Sequence, residues 1–150
     1  MKVSIAAAVA VLSMVLVACA PLPQRAALAP ERAAPAAEYG ALADVGRRIQ
    51  GMLGSGESAH WLLDRNQLAF DARLALTDTA ATTLDVQYFI WQDDATGWLL
   101  ARRLLEAADR GVKIRLLLDD FTVSSGRGDV AKLDAHPLIE VRTFNPWGTR

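Results

Sequence analysis

Between Thr83 and Phe144 the hydrophobic pattern switches period repeatedly, and few folds accept that alternation. Thr83–Trp91 is β-branched and aromatic, a strand by composition. Leu84, Val86, Tyr88 and Ile90 share one face, and Asp85, Gln87, Phe89 and Trp91 share the other. Both faces turn apolar toward the end, which predicts a strand covered on both sides. A helix is expected over about 96–110, with Trp98, Leu99, Leu104 and Leu105 inward and Arg102, Arg103, Glu106, Asp109 and Arg110 outward. Asp93 or Asp94 can cap its start, and Gly111 suits the position just past its end. Val112–Leu118 reads as a second strand, Asp129–Ala135 as a short helix stopped before Pro137, and Ile139–Phe144 as a third strand. Strands and helices alternating at this spacing imply right-handed βαβ crossovers, hence an α/β fold with a mostly parallel sheet. No internal repeat at a fixed period is visible.

Upstream, Leu42, Val45, Ile49 and Met52 recur at helical spacing over 42–53, and Gly54 and Gly56 break the pattern. Ala59–Leu63 reads as a short extended piece. Asp64 can cap a helix over 67–80, with Gln67 as its capping-box partner. Leu68, Ala72, Ala75 and Thr79 form one stripe of that helix, with Leu76 beside it and Phe70 and Leu74 widening it.

The front of the chain reads as an address. Lys2 is a positive start, and Val3–Val17 is apolar apart from Ser4 and Ser13. That run is short of the about 20 residues a spanning helix needs and fits a signal peptide, residues 1–18. Leu16-Val17-Ala18-Cys19 looks like a bacterial lipobox, so Cys19 is the expected lipidation site. Two or more acyl chains give stable anchoring. Ala20, rather than Asp, follows Cys19, which favours the outer membrane over the inner one, on the periplasmic side of the envelope. The alternative is that Cys19 is an ordinary apolar residue of a leader cut elsewhere. Residues 19–41 carry Pro21, Pro23, Pro30 and Pro35 among alanines and read as an extended tether before an α/β domain over 42–150. Cys19 is the sole cysteine, so no internal disulfide or cysteine-cluster zinc site is available.

Sixteen Lys and Arg against seventeen Asp and Glu leave a formal charge of −1, so no basic face is implied and nucleic acid is not an expected partner. No cofactor fingerprint is found: Gly126-Arg127-Gly128 lacks the third glycine of a dinucleotide loop, and no metal-ligand cluster is present. Asp119 and Asp120 end a strand where α/β folds place ligands, a candidate site rim together with Gln87 and Tyr88. The structural alternative is a turn cap and a solvated edge for the aspartates, and packing or sheet-edge hydrogen bonds for Gln87 and Tyr88. Trp91 and Trp98 fit core positions, Trp61 is expected to be packed, and the exposure of Trp147 is open.

An ordered set of segments carries a family resemblance. Gln87-Tyr88-Phe89-Ile90-Trp91 is followed by Asp93-Asp94 and Gly97. Then come Arg110–Arg115, Leu116–Asp120, and Leu133–Pro137 leading to Phe144-Asn145-Pro146. Over residues 59–147 this resembles the first part of a phospholipase D superfamily domain, in its bacterial cardiolipin-synthase-like lipoprotein branch. The resemblance implies a metal-free phosphodiesterase fold with its active site at the C-terminal ends of the strands. Two His-x-Lys-x-x-x-x-Asp motifs meet there in the family. One His attacks phosphorus, the other protonates the leaving alcohol, and the lysines stabilise the phosphorane charge. Water as acceptor gives hydrolysis; a lipid hydroxyl gives phosphatidyl transfer. His60 is followed two residues on by Leu62 and His136 by Leu138, so neither has the Lys of the motif. No catalytic residue is assigned. The chain is expected to be an N-terminal portion of such a protein, inactive alone, with a phospholipid membrane and, in full-length relatives, a phospholipid substrate as partners. The alternative is a catalytically silent lipid-anchored protein that associates through the edge of its last strand. His60 is expected at a turn or strand edge. His136 is expected near a helix C-terminus, whose partial negative charge favours the protonated ring.

Overall fold

A computed structural model describes residues 32–120, 123 and 127–145. The leader, Cys19, most of the tether, Gly126, the Arg127 side chain and Trp147 lie outside the described residues. The element order is α1 (Ala41–Met52), α2 (Asn66–Thr79), β1 (Thr83–Tyr88), α3 (Ala95–Asp109), β2 (Lys113–Asp119), α4 (Arg127–Asp134) and β3 (Ile139–Phe144). The strands form one parallel sheet in the order β1-β2-β3. This is the α/β architecture that the alternating periods predict, with α3 and α4 as the two crossovers.

Register explains which residues enter the core. Leu84, Ile114 and Ile139 pair in one row and Val86, Leu116 and Val141 in the next. These rows meet Leu100, Ala101, Leu104, Ala107 and Ala108 of α3 and Leu133 of α4 in a single apolar cluster. Each large aliphatic side chain taken from water contributes roughly 1.5–3 kcal/mol, so β2 and α3 hold most of the stabilising burial. The opposite face of the sheet is polar. Asp85, Arg115 and Glu140 form one row and Gln87, Leu117 and Arg142 the next.

Two expectations about β1 are corrected. The strand ends at Tyr88, not Trp91, and its burial alternates between exposed and half-buried instead of closing on both faces. Phe89 and Ile90 lie beyond the strand, 66% and 55% exposed, and Trp91 alone turns back into the core.

The helix ends show local chemistry at work. Asp94, rather than Asp93, caps α3: its Oδ1 accepts from the Thr96 and Gly97 N–H groups at 2.9 and 2.8 Å. At the other end Gly111 has φ +98°, a conformation that side-chain-bearing residues rarely adopt. Its N–H reaches the Ala108 carbonyl, and Val112 N–H reaches Ala107, closing a Schellman turn. Arg110 is exposed, as expected, and its guanidinium donates to the Thr77 and Asp78 carbonyls, both at 3.0 Å. That satisfies orphan acceptors at the end of α2 and sets a cation where the helix dipole favours one.

α2 departs from expectation at both its start and its face. Asp64 does not cap it. Arg65 is the N-cap residue, with no side-chain cap bond, and Gln67 donates to Asp71 one turn on. The expected stripe is covered only in its first half: Leu68 and Ala72 are half-buried, whereas Ala75 and Thr79 are exposed. Phe70 and Leu74, which widen the expected face, are half-buried as well, and Thr77 is buried. Large side chains outweigh alanines in area removed from water, and the buried Thr77 hydroxyl is satisfied by the Arg73 carbonyl at 2.9 Å.

Candidate functional site

Parallel strands present their C-terminal ends on one edge, the place where such sheets hold ligands. Gln87 pairs with Leu117 and Tyr88 with Leu118, so Asp119 and Asp120 lie one and two residues past the level of Tyr88 on the neighbouring strand. All four predicted rim residues therefore occupy one end of the sheet. Their surroundings differ. Gln87 is exposed on the polar face, whereas Tyr88 is half-buried on the helix side. Asp119 is buried, and the Asp120 N–H donates to the Phe144 carbonyl at 3.0 Å.

Tyr88 belongs to a small cleft of about 240 Å³ lined by Phe70, Arg73, Trp91, Asp94 and Thr96 among others. Its ring meets Trp91 edge-on, centroids 5.6 Å apart, and the Arg73 guanidinium lies 6.0 Å from its centre. Burial pushes the Tyr88 hydroxyl above its usual pKa, and the nearby Arg73 charge opposes this. Asp94 is held below the usual carboxylate range, first by the Gly97 N–H and then by the Thr96 hydroxyl. Arg73 and Asp94 are thus the cleft's charged groups. Arg73 is not among the residues the sequence singles out, because an exposed helix arginine carries no pattern of its own; Asp94 is legible only as a cap. Neither Asp119 nor Asp120 lines this cleft.

The two histidines have different surroundings. His60 is exposed outside any helix or strand. His136 accepts the Leu138 N–H at Nδ1, 3.2 Å, and turns Nε2 toward Asp109 at 3.3 Å. Both ring nitrogens are engaged in holding the α4–β3 turn against the end of α3. Among the described residues no group of three or more His, Cys, Asp or Glu is placed to hold a metal ion.

The tryptophans divide otherwise than expected. Trp91 is buried, but Trp98 is 49% exposed with the Lys132 ammonium 5.3 Å from its ring centre, and Trp61 is 72% exposed. In α3 the inward stripe is Leu100–Leu104–Ala107–Ala108, which turns Trp98 and Leu99 toward the helix's flank.

On the polar face the Asp85 carboxylate receives a two-pronged bond from Arg115, at 2.7 and 2.6 Å. The Arg115 hydrogen bond holds the Asp85 carboxyl below its usual pKa. A carboxylate depressed in the folded state stabilises above its unfolded pKa, and the contribution is lost as pH falls below about 4. Asp85→Asn is therefore expected to cost under about 1 kcal/mol near neutrality, since the pair is part-exposed, and to make no difference at pH 2. Urea midpoints of both proteins at the two pH values check this.

No protein-family model matches the chain. A search of curated proteins finds relatives. Cardiolipin synthase C of Escherichia coli (strain K12) is 51% identical over 96 residues, which is 63% of this chain and 20% of that protein. An uncharacterised protein of Helicobacter pylori (strain ATCC 700392 / 26695) is 40% identical over 84 residues, 54% of this chain and 17% of that protein. A cardiolipin synthase of Oceanobacillus iheyensis is 31% identical over 80 residues, 53% of this chain and 17% of that protein. The chain thus spans about a fifth of the length of the curated relatives it matches. Over that part it is related to the phospholipase D/cardiolipin-synthase-like proteins.

Proposed function

We propose that this chain supplies a scaffold portion of a phospholipase D/cardiolipin-synthase-like protein that acts on phospholipids, held at the cell envelope through an acylated Cys19. The observation that carries the reading is the 51% identity over 96 residues to a cardiolipin synthase. The strand order supports it, since a parallel sheet gathers Gln87, Tyr88, Asp119 and Asp120 at the edge where the resemblance sets the family's active site. The phospho-histidine step belongs elsewhere than in residues 32–145. A nucleophilic imidazole needs a nitrogen free to meet phosphorus, and His136 has both engaged, while His60 stands alone on the surface. The chain's part is to hold one strand edge rigid, with the C-terminal ends of β1 and β2 in register, so that groups brought by the rest of such a protein meet there. A second reading, a catalytically silent lipoprotein that pairs through a sheet edge, is favoured by one observation: among the described residues β3 has a partner strand on one side only.

The test is a segment exchange. The matched 96-residue stretch of the E. coli cardiolipin synthase is replaced by its counterpart from this chain. The chimera is expected to form cardiolipin, and the 150-residue chain by itself to turn over no phosphatidyl ester. A folded but inactive chimera would leave the silent-lipoprotein reading standing. Turnover by the short chain that depends on His60 or His136 would overturn both.

A further inference from the structure

α1 is an amphipathic helix with no buried residue. Leu42, Val45, Ile49 and Met52 fall within an arc of about 80°, at roughly 100° per residue, and are 41%, 49%, 38% and 82% exposed. The helix meets the domain along a different edge. Ala43 and Gly46 are its half-buried positions, lying about 110° round from the centre of the apolar arc. Even there the fit is loose, because a cleft of about 370 Å³ separates α1 from Ala80–Thr83. Its polar contacts are local: the Arg47 guanidinium donates to the Glu38 carbonyl just before the helix and pairs with Asp44 one turn back. An isolated helix of 12 residues is marginal in water, so an unburied apolar stripe of four large side chains calls for a surface to lie on.

Three observations say which surface. Arg48 follows on the edge of the stripe next to Met52, the position from which a long cationic side chain reaches lipid phosphates while its neighbours enter the acyl boundary. Trp61 and Leu62, on the segment that follows, are 72% and 83% exposed, an aromatic–aliphatic pair of the kind that settles at the headgroup level. The chain preceding α1 carries the apolar Val3–Val17 run and then Cys19, only 22 residues from Ala41. From these we infer that α1 lies flat on an anionic phospholipid bilayer, its Leu42–Val45–Ile49–Met52 stripe in the acyl boundary and Trp61–Leu62 beside it as a second contact. No helix among the described residues is long and apolar enough to cross a membrane, so this contact is interfacial. The inference rests on the envelope reading above for the nearness of the bilayer, and on α1 itself for the docking.

The experiment uses the full chain carrying a photo-crosslinking p-benzoylphenylalanine at Met52, in vesicles of phosphatidylethanolamine and phosphatidylglycerol. A second protein carries it at Arg102, whose side chain is 76% exposed on α3. Irradiation is expected to give a one-lipid mass adduct at position 52 and none above background at 102. Adding Ile49→Glu should abolish the adduct at 52. Because α1 buries nothing, the core should survive, which circular dichroism confirms. An adduct to protein at 52, or no adduct, overturns the inference. Mass spectrometry of Cys19 in the same sample reports acylation separately. A lipid adduct without acylation keeps the docking and sinks the anchor; acylation without a lipid adduct does the reverse.

Discussion

Gly97→Ala is expected to unseat the start of α3 and to lower stability by roughly 1–3 kcal/mol, the usual range for overpacking. A Cβ on Gly97 would stand 2.1 Å from the Gln92 carbonyl oxygen and 3.3 Å from its carbon. Both partners are backbone, so no rotamer change relieves the clash. The Gly97 N–H is also one of the two that the Asp94 carboxylate caps, so any shift strains the cap together with the turn. That turn carries Trp91, 3% exposed, back into the core. The effect should therefore show in near-ultraviolet dichroism as well as in the urea midpoint. Gly46→Ala is the control. It adds the same methyl group where nothing lies within 4 Å, and helix propensity alone should leave the midpoint unchanged or raised. Equal midpoints for the two variants would mean that the 91–97 turn moves freely, and the tight approach at Gly97 would lose its meaning.

That result bears on how a sequence reports a fold. The Asp93-Asp94 and Gly97 spacing is visible in the chain as a motif, yet its reason is steric and becomes visible only when Gln92 folds back over the first turn of α3. Element type was legible because period dominates. β2 alternates from Lys113 to Leu118, with Ile114, Leu116 and Leu118 each 1% exposed or less, and no helix could bury that set. Faces were less legible. Trp98 and Leu99 sit at positions a helical wheel draws as apolar, but the sheet touches α3 along Leu100–Leu104–Ala107–Ala108, and the flanking ring finds Lys132 instead. For α2 the evenly spaced stripe is covered at Leu68 and Ala72 and open at Ala75 and Thr79, because spacing counts positions while burial follows what packs against them. The cap at Asp64 failed because a competent residue type does not by itself fix where the chain enters a helix; Arg65 holds that place with its backbone alone. At the candidate rim, period and strand ends were enough to bring Gln87, Tyr88, Asp119 and Asp120 to one edge. Arg73 approaches Tyr88 from another element, a tertiary fact with no local signature.

Leu104→Ala is the substitution expected to cost most, about 2–5 kcal/mol, through lost transfer energy and the cavity left behind. Leu104 is 0% exposed and sits in one apolar cluster with β2 and Leu133 of α4. Its neighbours there, Ile114, Leu116, Leu118 and Leu133, are fully buried too, so little can move in to fill the gap. Small domains hold a net stability of about 5–15 kcal/mol, and a loss of this size takes a large share of it. The comparison that gives the number meaning is Leu99→Ala. Leu99 lies five positions earlier on α3, roughly 140° round the helix, and is 36% exposed. It should lose well under half as much. Urea unfolding followed by far-ultraviolet dichroism measures both. If Leu99→Ala proved the costlier change, α3 would have to be rotated on its axis, Trp98 would return to the core, and the burial of β2 beneath Leu104 would no longer account for where this sheet keeps its stability.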